Sequence, residues 1–391
     1  MCKIYMDNAA TSRVSKAAME VMIPCLEDIY GNPSSIHTFG QKANTVLENS
    51  RRGIAEIISA ESSEIYFTSG GTESDNWAIR AGAYIGKQKG KCHIISSSFE
   101  HHAVLHTLNT LQEEGFEITL LDVHEDGIVK TEELLDAIRE DTALVTIMYA
   151  NNEIGTVQPI DEIGKICREN GVLFHTDAVQ AVGHIPVNVK EDYIDMLSLS
   201  SHKFHGPKGV GVLYCKKGIA LKTFIEGGAQ ERGKRGGTEN VPAIAGMAAA
   251  LKNAVANMQK NNEQITDMRE KLIKSLLAIP RSRLNGNGKK RLPSIVNFCF
   301  EGIEGEALLL MLDINGICAS SGSACTSGTL DPSHVLLALG LPHEIAHGSL
   351  RLSLSEYNTH EEVEYIIEIL PKIVEKLRDM SPVWEKIVKG N

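Results

Sequence analysis

The sequence predicts an α/β protein, with a large domain built on a mostly parallel sheet and a smaller α+β domain after it. Two observations carry this. Between residues 64 and 215 short apolar runs alternate with helical stretches, the pattern of parallel strands joined by helical crossovers. Near Asn240 the alternation stops and Val241-Pro242 opens a long helical pattern. At 391 residues, 42% of them hydrophobic, the chain has enough apolar material for two or three domains.

Taken in order, residues 15–30 carry apolar positions at helical spacing, and Gly31-Asn32-Pro33-Ser34-Ser35 breaks them into an irregular loop. A second helical stretch, 40–58, leads to six runs read as strands: 64–68, 93–97, 144–149, 172–176, 196–199 and 210–215. The pattern after Asn240 continues through Met247, Leu251, Val255, Met258, Met268 and Leu272, with Pro242 suited to a first helical turn. Beyond it come a strand at 294–300, a helix near 304–313, a Gly/Ser loop at 319–328 and a strand near 350–354. Thr359, with Glu362 three residues on, forms a capping box for a final helix that Pro371 is expected to bend. The expected division is a large domain over 15–250 and a small one combining 1–14 with 251–391. There is no internal repeat or low-complexity tract.

Thirty-nine basic against 50 acidic residues leave a net charge of −11, which gives no support to a nucleic-acid or anionic-membrane partner. The local basic cluster Arg281, Arg283, Lys289, Lys290 and Arg291 surrounds Asn285-Gly286-Asn287-Gly288 and reads as a solvated loop. No apolar segment with a small-residue cleavage site opens the chain, and no apolar run is long enough to span a bilayer, so a cytoplasmic protein is expected. Eight cysteines stand at 2, 25, 92, 167, 215, 299, 318 and 325, never as Cys-x-x-Cys. Neither a disulfide framework nor a structural metal site is expected.

Three features carry chemistry. Gly70-Gly71-Thr72-Glu73-Ser74-Asp75 follows a strand and opens a helix, where free N–H groups and the helix dipole can hold a phosphate. Its spacing fits neither a P-loop nor a dinucleotide fingerprint. The strand Val172-Leu173-Phe174-His175-Thr176 runs into Asp177, with Gln180 three residues later, which puts a carboxylate where ligands bind in a parallel sheet. A further strand ends in Ser200-Ser201-His202-Lys203, before His205-Gly206-Pro207-Lys208-Gly209. Lysine, acid and anion cradle together are what pyridoxal phosphate needs: a Schiff-base amine, a partner for the pyridinium nitrogen and a phosphate site.

These blocks, with Asp7-Asn8-Ala9-Ala10-Thr11, Glu100-His101, Asn151-Asn152-Glu153-Ile154-Gly155, Gln230-Glu231-Arg232-Gly233, Gly237-Thr238-Glu239-Asn240 and Ser321-Gly322-Ser323-Ala324-Cys325, resemble the aminotransferase class V family in its NifS/IscS cysteine desulfurase branch. The resemblance spans nearly the whole chain. It implies a fold-type I pyridoxal-phosphate enzyme with a seven-stranded sheet. Lys203 would carry the cofactor, Asp177 would pair with the pyridinium nitrogen and Gln180 with the ring hydroxyl. Gly71, Thr72, Ser200 and His202 would hold the phosphate, joined by Thr238 from a second subunit. His101 would stack on the ring and move protons. Asn32, Asn152 and Arg351 would receive the substrate, the last two through its carboxylate, a task suited to a bidentate guanidinium. Small departures from the family pattern are Ala229, where a glycine is common, and His102 after the stacking histidine.

Cys325 lies in Ala319-Ser320-Ser321-Gly322-Ser323-Ala324-Cys325-Thr326-Ser327-Gly328, a small, polar stretch expected to be a flexible loop that delivers a nucleophile. Cys167, Cys215, Cys299 and Cys318 border apolar runs and read as core filler. The resemblance therefore implies a homodimeric desulfurase that leaves a persulfide on Cys325 and turns L-cysteine into L-alanine. The sulfur would pass to an acceptor or cluster-scaffold protein, for iron-sulfur clusters or thiolation, and Cys325 could transiently ligate such a cluster. An ordinary class V aminotransferase and a selenocysteine lyase share the cofactor residues; the Cys325 loop favours desulfuration.

Overall fold

The structure, a computed structural model, describes residues 3–321 and 332–389. The chain opens with β1 (Ile4–Tyr5), α1 (Lys16–Glu27) and α2 (Thr38–Ile57), then alternates: β2 (Ile65–Thr68), α3 (Gly71–Gln88), β3 (His93–Ser97), α4 (His102–Glu113), β4 (Glu117–Leu121), α5 (Thr131–Ala137), β5 (Thr142–Thr146) and α6 (Ile160–Glu169). Strands β6 (Leu173–Asp177), β7 (Met196–Ser200) and β8 (Gly211–Cys215) complete a seven-stranded sheet of order β2-β8-β7-β6-β5-β3-β4. Only β8 runs antiparallel to its neighbours.

The continuous apolar runs follow from burial on both faces. Ile94, Leu144, Met196 and Leu213 enter one apolar cluster while their neighbours Ile95, Val145, Leu197 and Val212 enter another, as the two-residue pleat requires. β4 has no such run: it is an edge strand whose Glu117 and Leu120 are exposed, and the apolar-run reading passes over it. Helix α3 lies tight against β5, where a Cβ at Gly86 would overlap that of Ala143.

After β8 the expected long helix is two, Val241–Ala256 and Met258–Leu276, because Asn257 adopts φ −107° and ψ 3° between them. A smaller antiparallel sheet follows, with β9 (Ser282–Leu284), β10 (Ile295–Phe300) and, beyond β11 (Ile317–Cys318), β12 (Ser349–Ser353), in the order β12-β10-β9. β1 returns to pair with β11, and Ile4 and Met6 join Phe298, Phe300, Leu350 and Ile366 in a separate apolar cluster. The capping box of Thr359 and Glu362 opens the helix His360–Asp379, which runs through Pro371 without ending there.

The turn between β3 and α4 is fixed by a buried acid. Glu100 Oε1 accepts from Ser97 Oγ at 2.5 Å and from the Met148 N–H at 3.0 Å, while Oε2 has no protein partner. Burial pushes this carboxyl up to about 8, outweighing the two hydrogen bonds that favour the anion. A carboxyl raised on folding stabilises the fold below its unfolded pKa and loses that contribution as pH rises through the folded value. Glu100→Gln keeps an acceptor for both donors and removes the titration. Melting temperatures followed from about pH 5 to about pH 8 should therefore fall more for the wild type than for the variant; parallel curves would show that Glu100 is already ionised in the fold.

Candidate active site

At the carboxyl ends of β6 and β7, beneath the N-termini of α3 and α4, lies a cavity of about 300 Å³. This is where a parallel sheet offers a ligand its free strand ends. Asp177 and Gln180 enter it from β6 and the turn beyond, Ser200, His202 and Lys203 from the end of β7, and Gly71 and Thr72 from the start of α3. His101, Asn152 and Arg351 complete the set, the last contributed by β12 of the smaller sheet.

The Lys203 Nζ donates to the carbonyls of Ala9 and Ala10, at 2.6 and 2.9 Å, so the N-terminal arm forms the wall behind the amine. Gln180 Nε2 donates to the same Ala9 carbonyl at 3.0 Å. Thr11 and Ser12 grip the lysine's own turn: Thr11 Oγ1 is 3.1 Å from His202 Nδ1, and Ser12 Oγ donates to the His202 carbonyl at 2.7 Å. Burial, then the nearby Lys203 charge, bring both His101 and His202 down to about 4, so each is neutral at pH 7. His101 also caps α4, its Nδ1 accepting from the Ala103 N–H at 3.1 Å, which leaves Nε2 for other work.

Asp177 is buried, and burial pushes its carboxyl up to about 6, against the Val179 N–H donated at 2.9 Å and the charge of Lys203. Asp75, one turn into α3, also lines the cavity and is buried, its Oδ1 without a hydrogen bond and 3.7 Å from His175 Nε2. Burial and the neighbouring Asp177 raise it well above the carboxylate range. Two adjacent buried acids cannot both ionise cheaply, so Asp177, the one facing Lys203, carries the charge. Arg351 is 4% exposed; its guanidinium donates to the Asn152 carbonyl at 2.9 Å and to Asp7 Oδ1 at 3.0 Å, and Nε has no protein partner. A carboxylate thus already engages this arginine, and an incoming one would share it with Asp7 or displace it.

These residues fit pyridoxal phosphate. At one end, Gly70 has φ +153°, and a Cβ on Gly71 would come 2.7 Å from Val179 Cγ2, so only glycines let the backbone close over an anion at the α3 N-terminus. At the other end lies the buried Asp177 carboxyl, and a lysine lies on the wall between. His175, behind Asp177 on β6, is held neutral by burial and contacts Thr146 Oγ1 at 2.8 Å and Ser198 Oγ at 3.0 Å.

Two expected residues lie apart from this cavity. Asn32 is exposed and its Oδ1 accepts from the Ser34 N–H. Thr238 is exposed and does not line the cavity of its own chain. Cys325 falls outside the described residues; Ser320, before it, pairs with Arg351 through both backbone groups. Sequence reasoning missed Asp75 and the carbonyls of Ala9 and Ala10. Asp75 was legible only as part of a glycine-rich turn, and a main-chain carbonyl leaves no side-chain signal.

The aminotransferase class-V family profile matches residues 4–366. A cysteine desulfurase IscS of Clostridium botulinum is 51% identical over 391 residues, covering 99% of this chain and 98% of that protein. One from Methanosarcina thermophila is 54% identical over 383 residues, covering 98% and 95%. Among solved structures, a NifS-like protein superposes with a TM-score of 0.90 at 39% identity, covering 96% of this chain and all of that one. SspA in complex with cysteine superposes at 0.81 and 36% identity, covering 91% and 100%. With that cavity and these relatives along its whole length, the chain belongs to the aminotransferase class-V family, on its NifS/IscS cysteine desulfurase branch.

Proposed function

We propose that this protein is a pyridoxal-phosphate-dependent cysteine desulfurase that converts L-cysteine to L-alanine and keeps the sulfur as a persulfide on Cys325. The observation that carries the proposal is the convergence of Asp177, Lys203 and the α3 N-terminus on one cavity with Arg351 on its wall. When bound, the cofactor supplies an electron sink for negative charge at the substrate's α-carbon. Asp177 would pair with its pyridinium nitrogen, Gln180 with its ring hydroxyl, and Lys203 would bond its reactive carbon. Gly71, Thr72, Ser200 and His202 take the phosphate. Arg351 and Asn152 orient the substrate carboxylate. His101, neutral at pH 7, would stack on the ring and can accept a proton.

Sulfur transfer is the work of Cys325. Its thiolate attacks the substrate sulfur, a sulfur–sulfur bond forms as the Cβ–S bond breaks, and the electron pair stays with the carbon skeleton, which gains protons and leaves as alanine. An acceptor protein then takes the outer sulfur, for iron-sulfur cluster assembly or another thiolation pathway. The protein acts in the cytoplasm; no helix among the described residues is long and apolar enough to cross a membrane.

The working unit is a homodimer with shared sites. Thr238 is exposed and stands off its own cavity, and the resemblance assigns the matching threonine to the other subunit's phosphate. α1, the loop after it and the first turn of α2 leave Ile23, Leu26, Tyr30, Ile36 and Phe39 exposed, an apolar surface that a second copy would cover.

Lys203→Ala should lose both turnover and the lysine-dependent visible band, whereas Lys208→Ala should keep the cofactor; a band that survives the first change would reject the assignment. Cys325→Ser should bind cofactor and respond spectrally to cysteine yet form no persulfide. Mass spectrometry of the wild type after a cysteine pulse should find one added sulfur on Cys325, and finding it on Cys318 would overturn this role. In heterodimers of Lys203→Ala and Thr238→Glu chains, one site regains both wild-type residues, so activity should reappear from two inactive parents. Verified heterodimers that stay inactive would reject shared sites.

A further inference from the structure

The loop carrying Thr238 is fastened with unusual force to the segment that forms the chain's own phosphate cradle. Glu231 and Arg232 both hold left-handed backbone conformations, at φ 44° and 58°, which side-chain-bearing residues rarely adopt in succession. Each is compensated by contacts to β2, the strand that runs into Gly70 and Gly71. The buried Glu231 carboxylate takes two hydrogen bonds from Arg51, both 2.8 Å, and one from the Phe67 N–H at 2.9 Å. Arg232 donates to the carbonyls of Ser63 and Ile65 and lies over the Tyr66 ring.

Four residues further, Arg235 grips α3 itself. Its Nε and Nη2 reach the two oxygens of Glu73 at 2.8 and 3.1 Å, and Glu73 in turn accepts from the Ser69 N–H at 2.9 Å, clamping the turn that holds Gly70 to Thr72. Between these clamps and the tip, Gly236 donates to the Ile225 carbonyl at 2.8 Å, and Gly237 N–H to Gln230 Oε1 at 3.2 Å. Immediately beyond lies Thr238, exposed.

We propose that the Arg51–Glu231 and Arg235–Glu73 ion pairs are positioning elements for the opposite active site: they register the Thr238 tip against its own chain's α3 so that it meets the cofactor phosphate of the other subunit at a fixed place. Arg51, Glu231 and Arg235 touch no part of their own cavity, and their effect is delivered in trans. This rests on the shared-site reading above and adds to it which side chains set the geometry of the shared part.

The test is cofactor affinity, read from the visible band, in dimers of defined composition. Arg235 is partly exposed, and Arg235→Met removes the clamp while the largely buried Glu73 carboxylate keeps its hydrogen bond from the Ser69 N–H. Homodimers of that variant should bind pyridoxal phosphate at least about tenfold more weakly, the loss expected for charge-assisted hydrogen bonds that hold a ligand group in place. In heterodimers of Arg235→Met with Lys203→Ala chains, the surviving lysine faces an intact Thr238 loop from its partner. That site should bind with wild-type affinity, one per dimer. Weak binding there would show that Arg235 serves its own cradle, and unchanged affinity in the Arg235→Met homodimer would show that the clamp positions nothing; either overturns the proposal. The Thr238→Glu heterodimer reports on site sharing separately, so recovery there without recovery here defeats only this inference. Should Arg235→Met dimers fail to assemble, Arg235→Lys, which keeps a charge but not the two-nitrogen contact, carries the same comparison.

Discussion

Keeping Asp177 charged in a buried site is the constraint on which the rest of this architecture depends. Taking one carboxylate out of water costs on the order of several kcal/mol, and Asp177 sits at a strand end with only one backbone donor to offset that. Burial pushes it up to about 6 even against that hydrogen bond and the charge of Lys203. Its neighbours are arranged to leave the charge there: Asp75 and Glu100 are driven neutral by deeper burial, and His175 and His101 are held uncharged. The positive side chain that faces Asp177 is Lys203, whose amine is otherwise held by two carbonyls. A cationic ring nitrogen placed against Asp177 would relieve its cost, so the burial that disfavours the carboxylate gives a pyridinium its affinity.

The site draws on both sheets. Arg351 comes from β12 and joins Asp7 of the N-terminal arm to Asn152 in the turn after β5. The arm itself passes from β1, beside β11, to the carbonyls behind Lys203 and the hydroxyls that grip His202. A shift of the smaller sheet would therefore move Arg351, the arm and the lysine turn together, and Ser320 at the edge of the Cys325 segment is bonded to Arg351 as well.

Much of this was legible because burial writes itself into sequence. Strands covered on both faces, such as β5 to β8, appear as short runs rich in apolar residues, and Asp177 and Lys203 stand out as the charged residues at or just beyond the ends of two of them. What escaped has equally physical causes. β4 is half exposed and pairs on one side only, so its Glu-Ile-Thr-Leu-Leu resembles a surface segment. The break at Asn257 lies between two helices whose periodicities happen to match. Arg351, Asn32 and Thr238 were assigned from resemblance, because no local pattern tells an arginine in a strand, or a threonine in a glycine-rich turn, which ligand it will meet. The structure gathers Arg351 into the cavity and leaves Asn32 and Thr238 outside it, as composite sites would require.

The central claim is that one buried acid and one lysine hold a cofactor whose chemistry ends in sulfur leaving cysteine as alanine forms. The most direct measurement is incubation of the cofactor-loaded protein with L-cysteine and a thiol reductant, with sulfide and alanine quantified in the same samples. The account predicts that the two accumulate in equal amounts. Sulfide accompanied by pyruvate and ammonia instead of alanine would contradict it.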